Sequence, residues 1–203
     1  MTKIKAIAIN CSLKADASEK SSTDAMIAVL KDAFAGHDVE VSETIRVAAC
    51  NVLPGVTSDE GPGDDWPLMR KKILDHDILI FGGPIWMGQI GSVAKRVLER
   101  MDAFLGETDD AGRMPSYGKV AVAAIVGNED GAHFSSAQLF QSLNDTGWTI
   151  PAVAACYWVG EAMGDVDFKD LDAVPDKVTK TAGMVASNAA HLAGLLKGAP
   201  YPG

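Results

Sequence analysis

The sequence predicts an α/β fold in which a doubly wound, five-stranded parallel sheet carries helices on both faces. Three observations lead to this prediction. Short apolar runs alternate with amphipathic stretches along the chain. Three of these runs lack polar alternation, which indicates strands buried on both faces of a parallel sheet. The chain has 203 residues, 47% of them hydrophobic and 22% charged, which suits one domain that we expect to span residues 1–203.

The strands are predicted from these runs and from the residues that end them. The first, third and fourth runs are continuously apolar. The second alternates, which is typical of an edge strand, and Pro151 near the start of the fifth also favours an edge or a strand beginning. This pattern favours the strand order 2-1-3-4-5. The strands are predicted at residues 4–9, 37–44, 77–81, 119–126 and 148–159.

Five amphipathic stretches between and after the strands are predicted as helices, and right-handed crossovers should place them on both faces. The last begins at Pro175, and its apolar stripe either faces the core, which we favour, or forms a dimer seam. Two long stretches rich in Gly, Pro and Asp, residues 46–64 and 106–118, are expected to be irregular covers or subunit contacts. The helices are predicted at residues 23–35, 65–75, 92–105, 133–144 and from 175 onwards.

Charge and cysteine content exclude several classes of function. Lys and Arg number 18 against 27 Asp and Glu, a net charge of −9, which argues against nucleic-acid or membrane-surface binding. No apolar run approaches the ~20 residues of a membrane span, and the chain opens directly into strand-like sequence, so we expect neither a signal peptide nor a transmembrane helix. Three widely spaced cysteines form no CxxC pair, which indicates a reduced, cytoplasmic protein without a zinc site.

The loops after the first, third and fourth predicted strands should meet at one edge of the sheet, where open α/β sheets bind ligands. The first loop leads into a helix start and supplies hydroxyls from Ser12, Ser18, Ser21, Ser22 and Thr23, together with Lys14 and Lys20. Hydroxyls, free amides and the helix dipole favour a phosphate there, although Ser22 or Thr23 could simply cap the helix. The loop matches neither GxGxxG nor GxxxxGK[ST], which disfavours classical dinucleotide and ATP sites.

The second and third loops have the composition of a site for a planar ring. In residues 82–92, glycines allow close backbone approach, and the three consecutive residues Ile85, Trp86 and Met87 offer an exposed apolar wall. The alternative is a tight turn with a buried Trp. In residues 127–133, Asp130 could cap the next helix, and a capping or solvated acidic pair is favoured over a metal site.

With these three loops, the sequence resembles the NADPH-dependent FMN reductase branch of the flavodoxin-like superfamily. It is akin to iron–sulfur flavoproteins and tryptophan-repressor-binding-type quinone reductases. The resemblance implies that the FMN phosphate is held by Ser12, Lys14, Ser22 and Thr23. It implies that the isoalloxazine is lined on one side by Pro84, Ile85, Trp86, Met87, Gly88 and Gln89. On the other side it implies Gly127, Asn128, Glu129, Asp130, Gly131 and His133.

The resemblance has two departures. The compact Ser/Thr-rich phosphate turn of short-chain flavodoxins is absent. Iron–sulfur flavoproteins carry a cysteine cluster after the second strand, whereas Cys50 is the only cysteine between Arg46 and Trp66. A cluster normally takes four cysteine ligands, so no iron–sulfur centre is expected.

The resemblance implies an FMN-containing oxidoreductase that takes electrons from NADPH or NADH and passes them to a quinone, a flavin or another small acceptor. No catalytic side chain and no metal are expected, since the flavin carries the chemistry. Relatives are commonly homodimers or homotetramers, and the aromatic-rich stretch at residues 156–164 either packs internally or completes a neighbouring subunit's site. An electron carrier that docks through its acidic surface is the alternative, and a flavin-free hydrolase is disfavoured.

Overall fold

The computed structural model describes residues 3–203 and builds them around one central sheet. Its strands are β1 (Lys5–Asn10), β2 (Glu40–Arg46), β3 (Ile78–Trp86), β4 (Gln89–Ile90), β5 (Val120–Gly127) and β6 (Ala155–Val159). Its α-helices are α1 (Ser22–Ala35), α2 (Trp66–Leu74), α3 (Ser92–Met101), α4 (Ala132–Asp145) and α5 (Asp176–Gly198).

The strand order is β2-β1-β3-β5-β6, and all neighbours on this path are parallel. The predicted order 2-1-3-4-5 is therefore confirmed. The short strand β4 was not predicted. It arises because β3 continues beyond Phe81 to Trp86. The chain then turns back at Met87 and Gly88, and β4 pairs antiparallel with the end of β3. Residues 82–86 are thus strand rather than loop.

Two predicted strands have different bounds in the structure. The second begins at Glu40 instead of residue 37, because Asp38 has a left-handed backbone (φ 56°) in the turn after α1. The fifth contributes only an isolated bridge at Thr149 before it leaves the sheet. Pro151 has no amide to pair, Val153 is left-handed (φ 54°), and the strand resumes at Ala155.

The sheet is buried on both faces, as its apolar runs predict. Alternate residues of β3 enter opposite cores, with Leu79 and Phe81 on one side and Ile78 and Ile80 on the other. Helix α5 buries its apolar stripe against the second core, so the core-facing interpretation of that helix is right. Pro175 caps α5 rather than entering its first turn.

The long loop after β2 is anchored by a buried ion pair between Arg100 and Asp64, which lie 2.7 Å apart with both side chains inaccessible. Burial opposes ionisation of Asp64, but hydrogen bonds from Arg100 and from three backbone amides outweigh it and lower its pKa from 3.8 to about 2. Arg100 also donates to the carbonyls of Leu53 and Thr57.

None of the helices within residues 3–203 combines the length and apolar character that crossing a bilayer requires.

Candidate functional site

A cavity of about 480 Å³ opens at the carboxyl ends of β1, β3 and β5, a volume typical of small-molecule sites. Predicted site residues that line it are Ser12, Lys14, Ser22, Thr23, Pro84, Ile85, Trp86, Gly127, Asn128 and Glu129. Further lining residues are Leu13, Ser21, Val126, Trp158, Met163, Asp167, Phe168 and Lys169. Neither of the long loops at residues 46–64 and 106–118 contributes to this lining.

The polar end of the cavity lies at the start of α1, where the cap turns out to be Ser21. Its Oγ accepts a hydrogen bond from the Asp24 amide at 3.0 Å, so neither Ser22 nor Thr23 is needed as the cap. Ser12 is nearly fully buried, and its Oγ has no hydrogen-bond partner among the described residues. An unpartnered hydroxyl in a cavity wall at a helix N-terminus is suited to an anionic ligand.

The buried Asn10 organises this polar end. Its Oδ1 accepts from the Ser12 amide at 2.8 Å, and its Nδ2 donates to Ser21 Oγ at 3.1 Å and to the Asp24 carboxylate. Asn10 is the last residue of β1, so the strand end sets the path of the loop that follows. The sequence analysis assigned Asn10 no role, because a lone Asn carries no motif.

The β3–β4 hairpin forms a second wall, and it differs in part from the prediction. Ile85 is only 3% exposed and belongs to the core, whereas Trp86 is 52% and Met87 89% exposed. The prediction of three exposed apolar residues is therefore wrong for Ile85, because the extension of β3 turns that side chain inwards. Ser92 does not cap α3 with its side chain, and Gly91 occupies the cap position.

Glu129 holds the hairpin turn in place through its carboxylate. Its two carboxylate oxygens accept from the amides of Met87 and Gly88, each at 3.0 Å. Gly131 packs beneath the same turn: its φ is +107°, and a Cβ there would lie 2.4 Å from the Gly88 carbonyl oxygen. Asp130 makes no capping hydrogen bond to α4, and Gly131 takes the cap position. Within residues 3–203, no group of three or more His, Cys, Asp or Glu side chains could hold a metal.

Six of the predicted residues lie outside the cavity lining. His133 faces the outer surface, where its Nε2 lies 3.0 Å from the Tyr157 hydroxyl in an edge-to-face pair. The others belong to the hairpin turn or to the loop beneath it. The six are Met87, Gly88, Gln89, Asp130, Gly131 and His133.

The third wall comes from β6 and the residues after it, which the sequence analysis largely missed. Asn128 Nδ2 donates to the Gly164 carbonyl at 3.2 Å and to Asp167 Oδ1 at 3.0 Å, which fastens this segment to the loop after β5. Trp158 packs against Phe168 with ring centroids 5.5 Å apart. The aromatic stretch at residues 156–164 was a usable signal for Trp158, but residues 167–169 carry no motif.

Charges of both signs surround the cavity. Lys14 Nζ donates to the Lys20 carbonyl at 3.0 Å. Lys169 pairs with Asp170 and Asp167, and these hydrogen bonds raise the pKa of Lys169. The backbone amide of Lys169 also donates to Ser22 Oγ at 3.3 Å, so the segment after β6 reaches the start of α1.

The three thiols are held in their protonated form. Burial raises the pKa of Cys156 to about 12 and that of Cys11 still further, and it also raises the pKa of Cys50. All three cysteines are free. A thiol with a raised pKa is a poor nucleophile at neutral pH, so these side chains offer no thiolate to the cavity.

Comparison with known proteins identifies relatives of this chain. A model of the family described as NADPH-dependent FMN reductase matches residues 4–162. The chain is 32% identical over 147 residues to 8-demethyl-8-aminoriboflavin-5'-phosphate synthase of Streptomyces davaonensis, covering 68% of this chain and 54% of that protein. It is 32% identical over 201 residues to the divalent metal cation transporter MntH of Mycobacterium bovis, covering 96% of this chain and 29% of that protein. The chain thus spans about a third to a half of these two relatives.

Among solved structures, the chain resembles RosB with its bound intermediate, 8-demethyl-8-formylriboflavin-5'-phosphate. The TM-score is 0.87 at 27% identity, covering 98% of this chain and 82% of RosB.

Proposed function

Because the chain belongs to the NADPH-dependent FMN reductase family, we propose that it is an oxidoreductase that uses NADPH or NADH to reduce a small-molecule acceptor through FMN. The fold is flavodoxin-like, and FMN is the cofactor of the family. The acceptor we propose is a quinone, a flavin or another small molecule. Three expectations remain predictions: a single domain over residues 1–203, assembly as a homodimer or homotetramer, and a cytoplasmic location.

The observation that carries the proposal is the polar end of the cavity. Ser12 presents a buried hydroxyl without a partner, beside the free amides at the start of a 14-residue helix. A phosphate monoester is an acceptor for all of these donors, and Lys14 adds a positive charge at the same end. We therefore assign the FMN phosphate to Ser12, Lys14, Ser22 and Thr23.

The remaining walls suit the isoalloxazine. Trp86 of β3 and Trp158 of β6 supply aromatic surface, and Gly127 and Asn128 line the cavity at the end of β5, which lies between these two strands. Since Met87, Gly88, Gln89, Asp130 and Gly131 lie outside the cavity lining, we assign them a supporting part in or beneath the hairpin turn. We assign His133, which pairs with Tyr157, no part in the cavity wall.

FMN supplies the redox chemistry when it is bound, and the protein binds, orients and shields it. Glu129 holds the amides of Met87 and Gly88 and so fixes the hairpin beside the cavity. Asn128 fastens the segment after β6 to the loop after β5 and so fixes the wall that this segment forms. No described side chain is assigned as a nucleophile.

A second candidate function is modification of the flavin itself. It is favoured by the similarity over 98% of the chain to RosB, a structure that holds a riboflavin-5'-phosphate derivative. In that case FMN would occupy the same cavity as a substrate and would leave it altered. The two functions differ in whether the flavin is recovered unchanged.

One experiment distinguishes these functions. The FMN-loaded protein is mixed anaerobically with NADPH or NADH, and the visible flavin absorbance is followed by stopped flow, with dithionite as the positive control. The oxidoreductase proposal expects bleaching by at least one nicotinamide and an FMN of unchanged mass after reoxidation. Bleaching by dithionite alone would favour an electron carrier. In a parallel incubation of the FMN-loaded protein with dioxygen as oxidant and an amine as amino donor, an altered flavin mass would favour flavin modification.

A further inference from the structure

The loop between β1 and α1 has little internal structure to hold it in place. Within residues 11–20, the Ser18 amide donates to the Asp16 carboxylate at 2.8 Å, the Glu19 amide to the Asp16 carbonyl at 3.2 Å, and Lys14 Nζ to the Lys20 carbonyl at 3.0 Å. Residues 15–20 are exposed to solvent. A loop of this kind would lose conformational entropy on binding an anion, unless other residues hold it in the bound shape beforehand.

Arg46 supplies that support from outside the loop. It is the last residue of β2 and pairs in register with Asn10, the last residue of β1. Its Nη1 lies 3.4, 2.9 and 3.1 Å from the carbonyl oxygens of Lys14, Asp16 and Glu19. One guanidinium therefore gathers three points of the loop, and its side chain is only 12% exposed.

The same guanidinium forms an ion pair with Asp24 in the first turn of α1. Asp24 adjoins the residues assigned to the phosphate, and an unpaired carboxylate there would repel a dianion. Arg46 thus neutralises the nearest fixed negative charge on α1 while it holds the loop. Arg46 does not line the cavity, so both effects on a bound anion are indirect.

We propose that Arg46 is a positioning residue that makes the loop after β1 selective for the phosphate monoester of the flavin. The inference rests on the proposed function, since it assumes that this loop receives the FMN phosphate. Selectivity is then the affinity for FMN relative to riboflavin, which lacks the phosphate and shares the ring. A merely structural role would lower both affinities together.

The test measures dissociation constants of FMN and riboflavin by quenching of flavin fluorescence. Arg46→Met removes the three carbonyl contacts and the charge opposite Asp24, and Arg46→Lys keeps the charge without the fork of donors. Arg96→Met is the matched control, because Arg96 donates one hydrogen bond to the Val52 carbonyl away from this loop. Urea unfolding of each variant checks that it is folded.

We expect Arg46→Met to reduce the preference for FMN over riboflavin by about tenfold or more, which corresponds to about 1.4 kcal/mol. Arg46→Lys should lie between Arg46→Met and the wild type, and Arg96→Met should match the wild type. An unchanged preference in both Arg46 variants, with the wild type still preferring FMN, would overturn this inference alone. Absence of any preference in the wild type would instead overturn the assignment of the phosphate to this loop.

Discussion

Ser12→Ala should have opposite effects on stability and on FMN binding. Without ligand, the Ser12 Oγ is buried without a partner, and such a group costs about 1–3 kcal/mol relative to hydration. Its removal should leave the free energy of unfolding of the apoprotein unchanged or raised. With FMN bound, the same hydroxyl would donate a charge-assisted hydrogen bond to the phosphate, worth about 1.5–3 kcal/mol. The dissociation constant for FMN should therefore rise roughly 10- to 150-fold.

Ser135→Ala is a matched control for this experiment. Ser135 is 1% exposed, and its Oγ is also buried without a partner, but it lies in α4 and does not line the cavity. Urea titration of the apoprotein and fluorescence titration with FMN give the two quantities for both variants. Wild-type FMN affinity in a folded Ser12→Ala variant would refute the assignment of this hydroxyl to the phosphate.

The remaining predictions concern parts of the fold that support the site. Asp64→Asn should lower the free energy of unfolding by about 3–5 kcal/mol, because it leaves Arg100 buried without its partner. Since the pKa of Asp64 is lowered, the wild-type pair stabilises the fold fully above pH ~4 and loses this contribution as the pH falls towards 2. Urea midpoints that change neither with the Asp64→Asn substitution nor with this fall in pH would contradict the role of the pair. Gly131→Ala should destabilise the protein and weaken FMN binding, because its Cβ would collide with the Gly88 carbonyl. Gly112→Ala is the control, because it also brings left-handed strain of about 1–2 kcal/mol but leaves its Cβ in open space. Equal losses of stability in the two variants would rule out the collision as the cause.

The sequence predicted the sheet order and the edge at which the cavity opens, because continuous apolar strands and their following loops are local patterns. It did not predict that β3 continues through Gly82 and Gly83 to Trp86. That extension pairs with β5, a distant part of the chain, as far as Pro84, and with β4 at Ile85 and Trp86. The same extension explains why Ile85 is buried although it lies in a glycine-rich stretch.

The supporting contacts of the site were also beyond prediction from sequence. Arg46 contacts residues 22 to 32 positions earlier in the chain, and Asn128 contacts residues 36 to 39 positions later. Side-chain contacts at such separations follow no spacing rule. The hydroxyl cluster at Ser12, Ser22 and Thr23 was visible because its members precede or begin one helix.

A crystal structure of the protein with FMN would show directly where the phosphate binds. We expect the phosphate at the start of α1, with an oxygen about 2.7 Å from Ser12 Oγ, and the ring beside Trp86 and Gly127. A phosphate near Glu129, or FMN bound outside the cavity, would contradict this assignment.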